Sequence, residues 1–381
     1  MANAYFDHNS TTALKTDVLE AMLPFMAVQH GNATSRHSFG RTARAAVEHA
    51  REQVANAVGA YANQIVFTAS GTEANNFAVR GICSNLDAAQ ILTSAIEHPC
   101  VSRPALAMQA SGMHAKSIHV DSDCNISLAH LQKLLLAPTN LVSAMLVNNE
   151  TGVIQDIAKV AEIAREHKAY VHTDAVQALG KIPVDFFALG VHAMTVSSHK
   201  IGGPLGAGAL VLDKRIDIQP LLYGGGQERG LRSGTENVAA IVGFGAACDL
   251  ATKNLSAFDV HTANLRDHLE VGLAKLGAVI FGYNGLRVAN TSFFSFNNIE
   301  GETLVTALDK AGFAVASGSA CSSDSTEPSH VLLAMGVPQD LARGAVRVSF
   351  GLSSTIQEVE HFLLVLKQEL TRLRNLTAIA A

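Results

Sequence analysis

The sequence predicts an α/β fold, a mostly parallel sheet flanked by helices and followed by a smaller α+β domain. Three observations carry that reading. Short apolar runs alternate with amphipathic stretches from about residue 40 to 250, the pattern of βαβ units in a buried parallel sheet. The rhythm changes after about residue 255. The chain has 381 residues, enough for two domains at roughly 100–200 residues each.

In chain order, the apolar runs predict strands at 64–69, 89–94, 141–147, 169–174, 193–198 and 208–213. The amphipathic stretches at 42–59 and 156–168 predict helices between them. A glycine-rich segment, "LLYGGGQERGLRSGTEN" (221–237), interrupts the pattern. Beyond it come a helical segment (256–277), a strand (288–296), a helix (301–312), "FAVASG" (313–318), a polar loop, a strand (345–350) and a terminal helix. The expected division is a large domain over 16–255 and a small one from 1–15 and 256–381.

Composition narrows the function. Hydrophobic residues make up 48% and charged residues 16%, with a net charge of −5, as in a globular protein. No run of lysines and arginines predicts a nucleic-acid or membrane-surface partner. Apolar segments break well before the ~20 residues of a membrane span. The N-terminus "MANAYFDHNSTTALK" has no basic region followed by an apolar stretch, so no secretory signal is expected. The cysteines Cys83, Cys100, Cys124, Cys248 and Cys321 are odd in number and form no C-x-x-C pair. They predict free thiols in a reducing compartment, the cytoplasm. No His/Cys pair has zinc-site spacing, so no metal is expected.

In open α/β sheets, ligands bind beyond the carboxyl ends of the strands. Polar clusters fall there. Ser70-Gly71-Thr72-Glu73 opens a helix and suits either a phosphate cradle or a capping box. Asp174, in "HTDAVQ" (172–177), ends an apolar strand; it either pairs with a protonated ring nitrogen or caps a helix. Lys200 follows a strand and His199, and precedes Gly202, Gly203, Gly206 and Gly208. A lysine so placed is a Schiff-base nucleophile or a solvated loop residue. Together the three supply what pyridoxal phosphate needs: a phosphate site, an acid for the pyridinium and an amine for the aldehyde. His98, after the strand at 89–94, either stacks on a ring and shuttles protons or is structural. Cys321 lies in "VASGSACSSDSTEPSH" (315–330) without apolar periodicity, the setting of a reactive thiol. The other cysteines read as buried small hydrophobes.

The chain resembles the cysteine desulfurases of the nitrogen-fixation and iron–sulfur-cluster type, in the class V aminotransferase group. The matching stretches are "YFDHNSTT" (5–12), "HGNATSRHSFGR" (30–41), "FTASGTEANN" (67–76), "LVNNETGVIQDI" (146–157), "HTDAVQALGKIPVD" (172–185), "SSHKIGGPLGAGAL" (197–210), "GGGQERGLRSGTENV" (224–238) and "SGSACSSDSTEPSHVLLAMG" (317–336). The resemblance implies the pyridoxal-phosphate-dependent transferase fold of type I, with a seven-stranded large sheet. It implies that Lys200 carries the cofactor aldehyde, Asp174 pairs with the ring nitrogen, and Asn149 and Gln177 contact ring substituents. Gly71, Thr72, Ser197 and His199 hold the phosphate, and Thr235 reaches the phosphate of a neighbouring subunit, which implies a homodimer. His98 stacks on the ring, Asn32 and Arg347 grip the substrate carboxylate, and Cys321 accepts sulfur. Lys200 then removes the Cα proton of L-cysteine, and the products are alanine and a Cys321 persulfide, passed to a sulfur-acceptor protein such as an iron–sulfur scaffold or another carrier. Two departures from the family pattern, Ser10 and "DAVQALG", are expected to touch no group of the chemistry. The C-terminus "RLRNLTAIAA" lacks the longer tail by which relatives dock a scaffold, which leaves the acceptor open. A selenocysteine lyase would use Lys200 in the same way, an aminotransferase would have no use for Cys321, and a non-catalytic sulfur-relay or scaffold protein would have no need to keep Lys200, Asp174 and Cys321 together.

Overall fold

The structure is a computed structural model that describes residues 4–318 and 327–380. Among these, the strands are β1 (Ala4–Tyr5), β2 (Ile65–Thr68), β3 (Gln90–Ser94), β4 (His114–Ile118), β5 (Thr139–Ser143), β6 (Tyr170–Asp174), β7 (Ala193–Ser197), β8 (Gly208–Leu212), β9 (Val279–Ile280), β10 (Thr291–Ser295), β11 (Phe313–Ala314), β12 (Ala316–Ser317) and β13 (Val346–Ser349). Interleaved with them run the helices α1 (Thr16–Ala27), α2 (Ser38–Ala57), α3 (Gly71–Asn76), α4 (Pro99–Ala107), α5 (Leu128–Leu134), α6 (Ile157–Glu166), α7 (Phe186–Leu189), α8 (Val238–Lys253), α9 (Leu255–Lys275), α10 (Gly301–Lys310), α11 (His330–Ala334), α12 (Gln339–Arg343) and α13 (Ile356–Ala380).

A seven-stranded sheet runs in the order β2-β8-β7-β6-β5-β3-β4. The pairs β7–β6, β6–β5, β5–β3 and β3–β4 are parallel. Only β8 runs against its neighbours β2 and β7, so β2 points the same way as the parallel set. Alternate residues serve opposite faces. Ile65, Phe67, Ala209 and Val211 join the core beneath α2 and α8, while Val66, Leu210 and Leu212 join the core beneath α3 and α4. Both faces are therefore covered, which is why these strands read as unbroken apolar runs.

A second, four-stranded sheet has the order β12-β13-β10-β9, all antiparallel. Its core joins Phe294, Phe296, Val346 and Val348 to Phe362 and Leu366 of α13. The N-terminal strand β1 pairs in parallel with β11, which returns residues 7–12 to the edge where the large sheet's strands end. The helices α8 and α9 meet at a bend of 68°. Among the described residues no single helix is long and apolar enough to cross a membrane.

Candidate active site

The carboxyl ends of β2, β3, β5, β6 and β7 face one edge of the sheet, and a cavity of about 800 Å³ opens there. It is lined by Gly71, Thr72, His98, Asn149, Asp174, Gln177, Ser197, His199, Lys200 and Arg347. These residues come from segments far apart in the chain, most of them brought together by the strand order of the large sheet, while Arg347 comes from β13 of the antiparallel sheet.

At one end, Ser70 caps α3, its Oγ accepting from the Glu73 N–H at 3.1 Å. The Glu73 carboxylate accepts from the Ala69 N–H at 2.9 Å and from Arg232 Nε at 2.7 Å. Gly71 begins the helix where space is short: a Cβ there would lie 3.0 Å from Val176 Cγ2 and 3.4 Å from Ser197 Cβ. The Ser197 hydroxyl, buried beside it, has no hydrogen-bond partner among the described residues. Such an orphan in the cavity wall is a group waiting for a ligand acceptor. His199 places Nδ1 3.1 Å from Thr11 Oγ1, and burial, then the Lys200 charge, push it down to about 4.

In the middle, Asp174 is buried at the end of β6. Its Oδ1 accepts from the Val176 N–H at 2.9 Å and its Oδ2 from Asn75 Nδ2 at 2.7 Å. It caps a turn, since no helix begins before Phe186. Burial raises its pKa, against those hydrogen bonds and the charges of His98 and Lys200. A cation at the carboxylate would reverse that penalty. Lys200 stands in the turn after β7, its Nζ donating to the carbonyls of Asn9 and Ser10 at 2.7 Å each. His98 caps α4, its Nδ1 accepting from the Cys100 N–H at 3.1 Å; burial lowers its pKa first, ahead of neighbouring charges.

At the far end, the nearly buried Arg347 donates to Asn149 O at 2.9 Å and to Asp7 Oδ1 and Ser10 Oγ at 2.8 Å each. Its Nε has no partner among the described residues. Beneath lies Lys181, 4% exposed, donating to Asn9 Oδ1 at 2.7 Å and to Gln177 Oε1. Burial, then the charges of Lys200 and Arg347, drive its pKa well below the ordinary lysine value.

Two expected residues lie outside this cavity. Asn32 is exposed, its Oδ1 accepting from the Thr34 N–H and hydroxyl at 2.9 and 2.7 Å. Thr235 is exposed in the segment before α8. Cys321 lies outside the described residues. Ser10 corrects the expectation that it touches no reacting group: its hydroxyl meets Arg347 and its carbonyl receives Lys200. Val176, the other departure, lines the cavity. Asn9, Asn75, Cys100 and Lys181 are site residues that the strand-end argument does not reach. Asn9 and Ser10 follow β1 in a polar run, a signal available in hindsight of the β1–β11 pairing; Lys181 carries none.

A helix start, a buried carboxylate and an amine meet beyond strand ends at one edge of the large sheet, and the orphan Ser197 hydroxyl and the Gly71 gap fit the needs of pyridoxal phosphate. Comparison with known proteins agrees. The aminotransferase class-V family model matches residues 4–362, and the chain belongs to that family. It is 41% identical over 376 residues to the cysteine desulfurase IscS of Methanosarcina thermophila, covering 98% of this chain and 93% of that one. Among solved structures, a NifS-like protein superposes with a TM-score of 0.92 at 38% identity, covering 97% of this chain and 99% of that one. SspA in complex with cysteine does so with a TM-score of 0.79 at 28% identity, covering 92% and 100%.

Proposed function

We infer that this chain is a cysteine desulfurase that converts L-cysteine to L-alanine and retains the sulfur as a protein persulfide. The observation that carries it is the convergence of Lys200, Asp174 and Arg347 on one cavity, in a chain so similar to cysteine desulfurases over nearly its whole length. When bound, pyridoxal phosphate supplies an aldehyde carbon that condenses with amines and a ring that accepts charge from Cα. Gly71, Thr72, Ser197 and His199 would hold its phosphate, Asp174 its ring nitrogen, Asn149 and Gln177 its ring substituents, and Lys200 would supply the amine for its aldehyde.

Arg347 orients the substrate through its carboxylate, a pairing that a guanidinium makes in bidentate fashion. In this reading the Lys200 amine takes the Cα proton. Cys321, as thiolate, attacks the substrate sulfur. A sulfur–sulfur bond forms, the carbon–sulfur bond breaks, and its electron pair stays with the carbon fragment. Protonation of that fragment yields alanine. The balance is L-cysteine plus protein thiol to L-alanine plus protein persulfide.

The active form proposed is a homodimer in which Thr235 serves the neighbouring subunit. Support comes from α1, whose outer face exposes Leu19, Leu23 and Met26, one helical stripe. The division proposed is a large domain (16–255) and a small one (1–15 and 256–381), and the separate cores of the seven- and four-stranded sheets support it. A reducing compartment suits the free thiols Cys83, Cys100, Cys124 and Cys248.

The test is alanine and sulfide release from L-cysteine with a thiol reductant. Equal amounts of both from the intact protein, and neither from Cys321→Ala or Lys200→Ala, support the reading. Turnover that survives Cys321→Ala overturns it in favour of a lyase or transaminase.

A further inference from the structure

The sequence suggests that Cys100 is one more buried small hydrophobe. In the structure it is only part-buried, sits in the first turn of α4 and lines the same cavity as Lys200. Its Sγ lies 2.9 Å from His98 Nδ1 and 3.0 Å from Asn75 Nδ2. The same Asn75 nitrogen donates to Asp174 Oδ2 at 2.7 Å. The Cys100 backbone N–H also donates to His98 Nδ1, at 3.1 Å, and the Thr72 side chain hydrogen-bonds to the thiol. A continuous array thus joins the Asp174 carboxylate to the His98 ring.

Its directions follow from what each group can do. An ionised carboxylate only accepts, so Asn75 presents its amide nitrogen to Asp174. The second hydrogen on that nitrogen is then directed at Sγ, which accepts. The thiol's own proton is left for His98 Nδ1, already the acceptor of a backbone N–H. A ring nitrogen that accepts carries no hydrogen, and the proton of a neutral imidazole then sits on Nε2.

We propose that Cys100, held by Asn75, is a positioning residue that fixes His98 as the neutral tautomer with hydrogen on Nε2, so that His98 meets the substrate as a hydrogen-bond donor and not as a base. Burial pushes the Cys100 thiol up to about 12, so it keeps the proton it donates. Burial also lowers the His98 pKa; Asp174 opposes this, while Lys200, His330 and Arg103 add to it. Protonating Nδ1 would set its new hydrogen against two donors at once. A proton taken from the substrate thiol must therefore go elsewhere than His98 Nε2, which is already occupied.

The inference rests on the desulfurase reading for the reaction that His98 serves, but the tautomer can be read without turnover. The experiment uses the full chain loaded with pyridoxal phosphate and labelled with 15N-histidine, His98 being assigned by loss of its signals in His98→Gln. The expected spectrum shows a hydrogen on Nε2 and none on Nδ1 through the neutral pH range. Cys100→Ala removes one of the two donors and shifts the His98 midpoint upward by about one pH unit, and the acid limb of kcat follows. Cys100→Ser, which keeps a donor and an acceptor, restores both. A wild-type signal with hydrogen on Nδ1, or a Cys100→Ala protein with unchanged tautomer, midpoint and pH profile, overturns the proposal. If the spectra behave as stated but L-cysteine is not turned over, the desulfurase reading fails and the tautomer assignment stands.

Discussion

Replacing Glu228 with alanine should unfasten the glycine-rich segment that carries Thr235. Glu228 grips Arg51 through two parallel hydrogen bonds of 2.7 Å, with the side chains 2% and 4% exposed. Its Oε2 also accepts from the Phe67 N–H of β2 at 2.8 Å. Truncation strands a buried guanidinium and a buried backbone donor together. Removing one partner of such a pair costs about 3–5 kcal/mol. Arg51 keeps the Ile65 carbonyl at 3.0 Å and Glu48, itself 56% exposed, which places the loss near the lower bound, about 3 kcal/mol. Against a total stability of about 5–15 kcal/mol, that is a visible fall in the urea midpoint. The double replacement Arg51→Met with Glu228→Leu leaves no buried charge, so it should cost less than Glu228→Ala alone. The reasoning is refuted if Glu228→Ala lies within about 1 kcal/mol of the wild type, or if the double variant is the less stable of the two.

Three further outcomes are expected. Glu97 is buried just beyond β3 with Oε1 accepting from the Met145 N–H at 2.7 Å and Oε2 without a partner among the described residues; burial pushes its pKa up to about 8. Between the ordinary carboxylate value and that pH, the folded state keeps a proton that the unfolded chain gives up. Glu97 therefore makes stability fall as pH rises through that window, by up to about 1.4 kcal/mol per pH unit. Glu97→Gln should flatten the slope, which unfolding in urea at mildly acidic and mildly alkaline pH would reveal. Gly71→Ala puts a methyl 3.0 Å from Val176 Cγ2 and should weaken pyridoxal phosphate binding about tenfold, with little change in the melting of the stripped protein; an unchanged absorbance titration would count against the phosphate cradle. Met26→Glu charges a position 63% exposed on the apolar face of α1. Light scattering should then report monomers, and a dimer that persists would move the subunit interface elsewhere.

What the sequence makes legible here depends on whether a signal is local. Gly71, Asp174 and Lys200 each close an apolar strand, so the parallel sheet alone brings them to one edge. The strand β4 escapes the same reasoning because it is the sheet's outer strand. Its residues "HAKSI" are mostly exposed, and an edge with one neighbour needs no apolar run. The expected strand at 141–147 is shorter for a related reason. The ladder of β5 ends at Ser143, while Leu146 still donates to the Asp174 carbonyl at 2.9 Å and carries the chain to Asn149 at the cavity.

The contacts that complete the site have no local signature. Lys200 reaches the carbonyls of Asn9 and Ser10 across sequence separations of 191 and 190 residues, and these depend on β1 pairing with β11 in a two-stranded sheet of their own. The basic side chains Lys181, Lys200 and Arg347 gather around that N-terminal segment, and among the described residues Asp7 faces only the last of them. Burial, then the charges of Lys200 and Arg347, hold the Lys181 pKa down, and an anion joining Lys200 and Arg347 would relieve their mutual repulsion. Ser10 bears on that balance directly, because its hydroxyl donates to Asp7 at 2.8 Å and receives Arg347, tying the guanidinium back toward its resting partner. A carboxylate bound at Arg347, as the proposed function has it, would compete with that tie, so the Ser10 hydroxyl bears on the substrate affinity which that reading expects.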